Sequence, residues 1–385
     1  MKRFLILLLT LVFALSTAVF GIACEGGFGG SINLGGGQDN TGDGNDDGSG
    51  DNSGDVNDGS NDDSQGGDDT GNGGNTDDEQ TTYTENGVTY TLQTNDTYAV
   101  TSATLTAEDV NVTILATVNG KSVTAISNEA FMNKTKIQTV TLPDSVKTIG
   151  DSAFRKCSSL TTINLDKVVS IGTYAFSDCA KLTAIDIASA ETLGTRCFEK
   201  CLELKTASKV NAQVIPAAAF SFCSKLKTVE LSENVKTIGE SAFSGCSILS
   251  GIDLSNVEHI GAKAFTSCAT LQSAYMVSVI TIGQNAFISC DKLKNVLIGD
   301  NCIVFYMASF LNCDALETID IPNTDGWLIV GINKDGKEND PSEMNEDLMS
   351  QFRDPVRAVG LIRPTDWDPG FYFCKQEWWD MTHSK

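Results

Sequence analysis

The chain has 385 residues, with 50 Asp or Glu against 27 Lys or Arg, for a formal net charge of −23. That surplus of acid disfavours nucleic acid and anionic lipid as direct partners, because phosphate binding needs a basic surface. Two His among 385 residues leave little material for general acid–base chemistry.

Lys2 and Arg3 precede an apolar run from Phe4 to Phe20, which exits through small residues to Cys24. A basic start, a short apolar stretch and a small-residue exit describe a secretory signal peptide over residues 1–23. As a membrane span the run is at minimum length, and no positive stop-transfer cluster follows it. The exit GIAC, Gly21 to Cys24, resembles the lipobox of bacterial lipoproteins. That resemblance implies lipidation of Cys24 and anchoring of the exported protein at the bacterial envelope, surface-exposed. Gly21 departs from the pattern, which carries an aliphatic residue there.

Residues 24–80 read as a disordered acidic tether. Between 25 and 80 lie 15 Asp or Glu, no Lys or Arg, and 18 of the 35 Gly. Such a segment buries too little apolar surface to offset its chain entropy, and like charges extend it. DGNDDG, Asp43 to Gly48, matches the first half of a calcium loop, but Gly54 stands where a bidentate Glu is needed. With −15 in the tether and +2 at the N-terminus, residues 81–385 keep −10.

Residues 81–125 read as a β cap, with hairpin turns at Asn86-Gly87 and Asn119-Gly120. Nine units then follow over residues 126–321, aligned on Phe131, Phe154, Phe176, Phe198, Phe220, Phe243, Phe265, Phe287 and Phe310, in steps of 22 or 23. Self-similarity at that period predicts a solenoid. The second unit shows the pattern: Ala153, Phe154, Cys157, Leu160, Ile163, Leu165, Ile171, Gly172. LTTINL, Leu160 to Leu165, alternates as a strand with one buried face. The IGxxAF segment suits a short helical or turn piece, with Gly172 relieving the backbone at the corner. Parallel strands about 4.8 Å apart over eight steps predict a sheet about 38 Å long.

The pattern closely resembles the BspA-type leucine-rich repeat of bacterial surface proteins. The resemblance implies a leucine-rich-repeat solenoid, with a parallel sheet on one face and short helical or turn segments on the other. It also implies a binding or adhesion module for proteins of host or neighbouring cells. Departures fall at Lys134 in the Cys position of unit one, and at Cys197, Ala207 and Pro216 in unit four. Others are Ser309 in unit nine and the exit Gly299 to Met307 of unit eight. Units four and eight are the expected sites of local distortion. Residues 322–385 hold all four Trp and read as a mixed cap, with a surface loop and short helix from Lys334 to Met349. Trp367, Trp378 and Trp379 serve either as an apolar lid or as a glycan platform, the alternative function.

Eight of the twelve Cys follow the repeat: Cys157, Cys179, Cys201, Cys223, Cys246, Cys268, Cys290 and Cys313. Equivalent residues on adjacent coils point the same way, whereas a disulfide needs converging Cβ atoms and zinc needs four ligands around one point. Inert buried thiols are expected, each S–H donating weakly to a carbonyl. A strained Cys197–Cys201 pair is the lesser alternative. His259 and His383 read as solvated surface residues. No catalytic residue, cofactor or metal is expected.

If Ile163 and Leu165 point inward, their neighbours point outward. The candidate binding face is therefore Thr162 and Asn164, Asp186, Thr228 and Glu230, Asp253, Tyr275, Asn295 and Leu297, and Asp320. Its carboxylates suit a basic protein partner, with Tyr275 as an anchor. An ordinary solvated sheet face is the competing expectation.

Overall fold

The computed structural model describes residues 81–321 and the backbone of two further strands, Trp327–Gly331 and Phe371–Lys375. The apolar N-terminal run, Cys24, the acidic segment, the Lys334 to Met349 loop and helix, Trp367, Trp378, Trp379 and His383 lie outside the described residues.

Both Asn-Gly turns close hairpins. Thr82–Glu85 pairs antiparallel with Val88–Leu92 through Asn86 and Gly87, and Thr117–Val118 pairs with Lys121–Ile126 through Asn119 and Gly120. The central φ values are 47° and 74° in the first turn and 49° and 77° in the second. Asn and Gly tolerate that left-handed pair. Tyr98–Ala103 joins Val88–Leu92 to Lys121–Ile126, which pairs in parallel with Thr148–Ile149. The hairpin sheet thus continues into the repeats.

Each coil has three walls. The first is a ladder of parallel strands that runs from Asn111–Thr113 through Thr139–Thr141 to Thr318–Asp320. Its inward residues, such as Val140, Ile163 and Val229, are buried. The second is a ladder that runs from Thr148–Ile149 to Val304–Tyr306 and buries one Ile per coil from Ile149 to Ile282, with Leu193 only partly covered. The third is made of turns. In unit two, Ala153 N–H donates to Gly150 O at 3.3 Å and Cys157 N–H to Phe154 O at 3.1 Å. Ser152 and Lys156 have φ of 53° and 61°, the positive third residue of type II turns. The alternate amides of Ser152, Phe154 and Lys156 donate to Thr173, Ala175 and Ser177 of the next coil, each at 2.8 Å. Of the helical or turn piece expected there, the turn is what forms; a short 3-10 helix, Met307–Phe310, leads into unit nine.

The nine Phe rings stack in one column, with centroids 5.0–5.5 Å apart and planes within 10°. Such offset contacts add about 0.5–1.5 kcal/mol each beyond the burial of the rings.

The glycine of each coil is needed for a different reason than expected. Gly172 is not at positive φ. A Cβ there would stand 2.6 Å from Asp151 N and from Gly150 C of the preceding coil, so it is close backbone approach that excludes a side chain. The same glycine N–H binds the coil below: Gly172 to Ile149 O at 2.8 Å, Gly239 to Ile215 O at 2.7 Å. Pro216 occupies this position in unit four and has no N–H to donate. The second ladder is interrupted there, between Thr192–Leu193 and Val214–Ile215. In the same unit Thr206–Val210 slips register against Thr228–Leu231, with Lys209 at φ 54°.

The first ladder is not one unbroken sheet. It divides into three stretches, with gaps after Thr162–Ile163 and after Gly251–Ile252. Strands this short leave few bonds per step, so a small drift of one coil ends the pairing. The Phe column crosses both gaps intact. Beyond the last repeat, Phe371–Lys375 pairs antiparallel with Val304–Tyr306 and with Trp327–Gly331, which extends the second ladder.

Candidate binding face

The first ladder displays the predicted row. Thr162, Asn164, Thr228, Glu230, Asp253, Tyr275 and Asp320 are exposed, and Asp186, Asn295 and Leu297 are half-buried. Parallel register sets Tyr275 beside Leu297, Leu297 beside Asp320 and Asn295 beside Thr318. Tyr275 is 54% exposed and Val277, just past its strand, 46%.

Not every member of the row is free to bind. The Asn164 side chain is committed to the preceding coil: its Oδ1 accepts from Leu142 N–H at 2.8 Å and its Nδ2 donates to Leu142 O at 2.9 Å. Asn164 therefore works as a brace. Asn295 Oδ1 accepts from Thr318 Oγ1 at 3.1 Å. Asp186 Oδ2 lies 2.9 Å from Lys209 Nζ, so one carboxylate of the acidic row is already paired. That hydrogen bond raises the Lys209 pKa. Both residues line a depression of about 520 Å³ that opens along Thr162 to Lys167, Asp186, Ala188, Ser189 and Lys209. Asp253 is held below the usual carboxylate range by the backbone N–H of Ser255, at 2.9 Å.

A second line of charge on this face escaped the strand-only reading. Lys205, Lys227 and Lys294 stand exposed at the strand entries, where Lys227 N–H donates to Lys205 O at 2.9 Å. Lys294 reaches Glu317 at 3.0 Å, and Lys225 reaches Glu203 at 2.7 Å. The sequence signal was the residue after each unit's Leu, one place before the alternation begins. Lysines thus stand at three strand entries, Lys294 paired with Glu317 at a fourth, and carboxylates at the exits of Asp186, Glu230, Asp253 and Asp320.

The other candidates are architectural. Cys197 and the eight repeat cysteines, Cys201 among them, are free and buried. Each repeat thiol donates to the Phe carbonyl of the preceding coil, as Cys179 to Phe154 O and Cys223 to Phe198 O, both at 3.1 Å. Burial pushes the Cys157 thiol up to about 12. His259 is half-buried in the second ladder rather than solvated. Its Nδ1 lies 3.0 Å from Thr281 Oγ1, and burial lowers its pKa. Among the described residues no three His, Cys, Asp or Glu side chains converge to hold a metal ion.

The family described as the BspA type leucine rich repeat region, in six copies, matches residues 112–211 and 213–325, more than half of the chain. Among solved structures, a leucine rich cell surface protein from Faecalibacterium prausnitzii A2-165 is 20% identical, covering 63% of this chain and 95% of its own, at a TM-score of 0.31. The T. pallidum leucine rich repeat protein TpLRR is 24% identical, covering 60% and 88%, at 0.37. The pneumococcal vaccine antigen PcpA is 21% identical, covering 63% and 87%, at 0.27. No curated protein sequence matches the chain significantly.

Proposed function

This chain belongs to the BspA-type leucine-rich repeat family, and on that premise we propose that it is an exported, lipid-anchored bacterial protein whose first-ladder face binds a protein of a host or neighbouring cell. Repeat solenoids of this kind are interaction modules that present one extended sheet face. In this reading residues 1–23 are removed, Cys24 carries the lipid, 24–80 are the tether, and 81–125 and 322–385 cap the repeats. No catalytic residue or cofactor takes part.

The observation that carries the binding reading is Tyr275, a largely exposed ring standing beside Leu297 on an otherwise small and polar face. Buried aromatic anchors dominate interface energetics. A fitting partner offers cations toward Glu230, Asp253 and Asp320 and an apolar side chain at Tyr275. It must also tolerate or use the lysine line.

The full chain, screened against proteins and glycans, should bind a protein. Tyr275→Ala should weaken that binding at least about tenfold, and Asp253→Lys should weaken it in a salt-dependent way. Hits insensitive to both changes, or hits confined to glycans, would refute the face. Cys24→Ser should release the protein from the membrane fraction; retention there would refute the anchor.

A further inference from the structure

We propose that the turn wall of coils two to six is a second interaction surface, built for a polypeptide segment that carries carboxylates next to an aromatic or aliphatic side chain. It lies apart from the first ladder and does not depend on the reading of that face.

The cationic half begins at Tyr174. Arg155 Cζ stands 4.8 Å from the centroid of its ring and Arg196 Cζ 5.8 Å, so two guanidiniums from flanking coils share one aromatic group. Arg196 also bonds Glu199 at 3.0 Å. The Nε–H of Arg155 is buried and has no acceptor. Lys156 and Lys200, on the same turns as these guanidiniums, stand exposed and are the cations that an incoming carboxylate can reach.

The apolar half is set by a position rule. The residue before each repeat Cys has positive φ from coil two to coil nine: Lys156, Asp178, Lys200, Phe222, Gly245, Ser267, Ser289 and Asn312. Seven are polar or glycine, as that conformation favours. Phe222 breaks the rule with φ 60° and 52% exposure. The chain makes room for it, since a Cβ on Gly245 would come within 2.9 Å of Phe222 Cδ1. Leu202 and Ile248, one and two residues past the repeat Cys of the adjoining coils four and six, are 45% and 41% exposed. A strained and exposed apolar side chain placed against local preference marks a contact.

Spacing states what fits. Lys156 and Lys200 are two coils apart, about 10 Å. Asp178 lies between them and disfavours an acid at the middle. A segment of the form acid–x–x–acid in the polyproline II conformation, with three residues per turn and about 9 Å over that turn, therefore turns both carboxylates toward the lysines, and an apolar residue just beyond it reaches Phe222. A saccharide would leave hydroxyls unpaired against Leu202, Phe222 and Ile248, which favours a polypeptide over an acidic glycan.

The full-length protein can be titrated with a random Glu–Tyr copolymer, poly-Glu, hyaluronate and phosphatidylglycerol vesicles. Phe222→Ser installs the residue found at the same place in two later coils, and Lys156→Ser with Lys200→Ser does the same for the cations, so folding should be preserved and a thermal melt checks it. The copolymer should bind more tightly than poly-Glu. Phe222→Ser should weaken the copolymer about tenfold and leave poly-Glu unchanged. The double lysine variant should weaken both about tenfold, while Tyr275→Ala changes neither. A copolymer that fails to bind, one indifferent to these variants, or lysine-dependent binding that is stronger for hyaluronate or vesicles would overturn the proposal.

Discussion

Removing one ring from the middle of the Phe column tests whether the stack is what joins the coils. Phe220 has no exposed surface, and its neighbours Phe198 and Phe243 lie at 5.5 and 5.3 Å with planes tilted 8° and 2°. Phe220→Ala forfeits burial and leaves a cavity walled by two flat rings that cannot collapse into it, so about 3–5 kcal/mol should be lost. Among the described residues Phe131 stacks on one side only, at 5.0 Å from Phe154. Phe131→Ala should therefore cost less by about one stack, ~0.5–1.5 kcal/mol. Phe220→Ala combined with Phe243→Ala should cost less than the sum of the two by a similar amount, because their shared contact is removed once. Urea unfolding followed by circular dichroism measures these differences, and hydrogen exchange shows whether the flanking coils open first, as nearest-neighbour coupling requires. A single substitution costing under about 2 kcal/mol, or strictly additive doubles, would refute the column as the source of coupling.

With the Cys157 thiol pushed up to about 12 from its ordinary 9.0, its thiolate fraction at pH 8 is about 10⁻⁴ against about 10⁻¹ for a free Cys. Native labelling by a thiol reagent should be at least about a thousandfold slower than after denaturation, and rapid native labelling of most repeat cysteines would defeat the packing role. Gly239→Ala would place a Cβ 2.8 Å from Ala217 N and from Pro216 C, backbone atoms that cannot step aside, so about 1–3 kcal/mol should be lost; an unchanged urea midpoint would contradict this. Because the fold holds His259 below the 6.5 of a free imidazole, the unfolded chain takes up that proton first on acidification. Stability present above pH 6.5 should thus fall as pH drops through that value toward the folded pKa, and His259→Gln should remove that part of the slope; identical pH profiles would show that His259 contributes nothing.

Much of the molecule was readable from its residues because each signal was local and repeated. Asn86-Gly87 and Asn119-Gly120 dictate their hairpins through backbone conformation alone, and they form as read. Phe131 to Phe310 at 22 or 23 residues specify a column, since stacked coils must place equal positions in line. The outward row followed from strand alternation at Thr162, Asp253 and Tyr275. Gly172 was legible as a requirement and misread in its cause, because a glycine excluded by a neighbour's backbone looks the same in sequence as one at positive φ.

The amino-acid sequence by itself determined the solenoid, its period, its buried columns and the burial of the repeat thiols, because burial and alternation act within one coil and are then repeated. Tertiary structure decided what happens between coils. Only stacking shows that Asn164 is spent on Leu142, that Asp186 is neutralised by Lys209, and that Lys294 pairs with Glu317 across neighbouring strand entries. Only stacking makes Pro216 a gap in the second ladder, by setting its missing N–H opposite the preceding coil. Likewise it brings Arg155 and Arg196 onto Tyr174 from coils that are about twenty residues away in either direction. Such pairings depend on register to within one residue across a coil, and a repeat of variable length, 22 here and 23 there, settles that register only when the coils have packed.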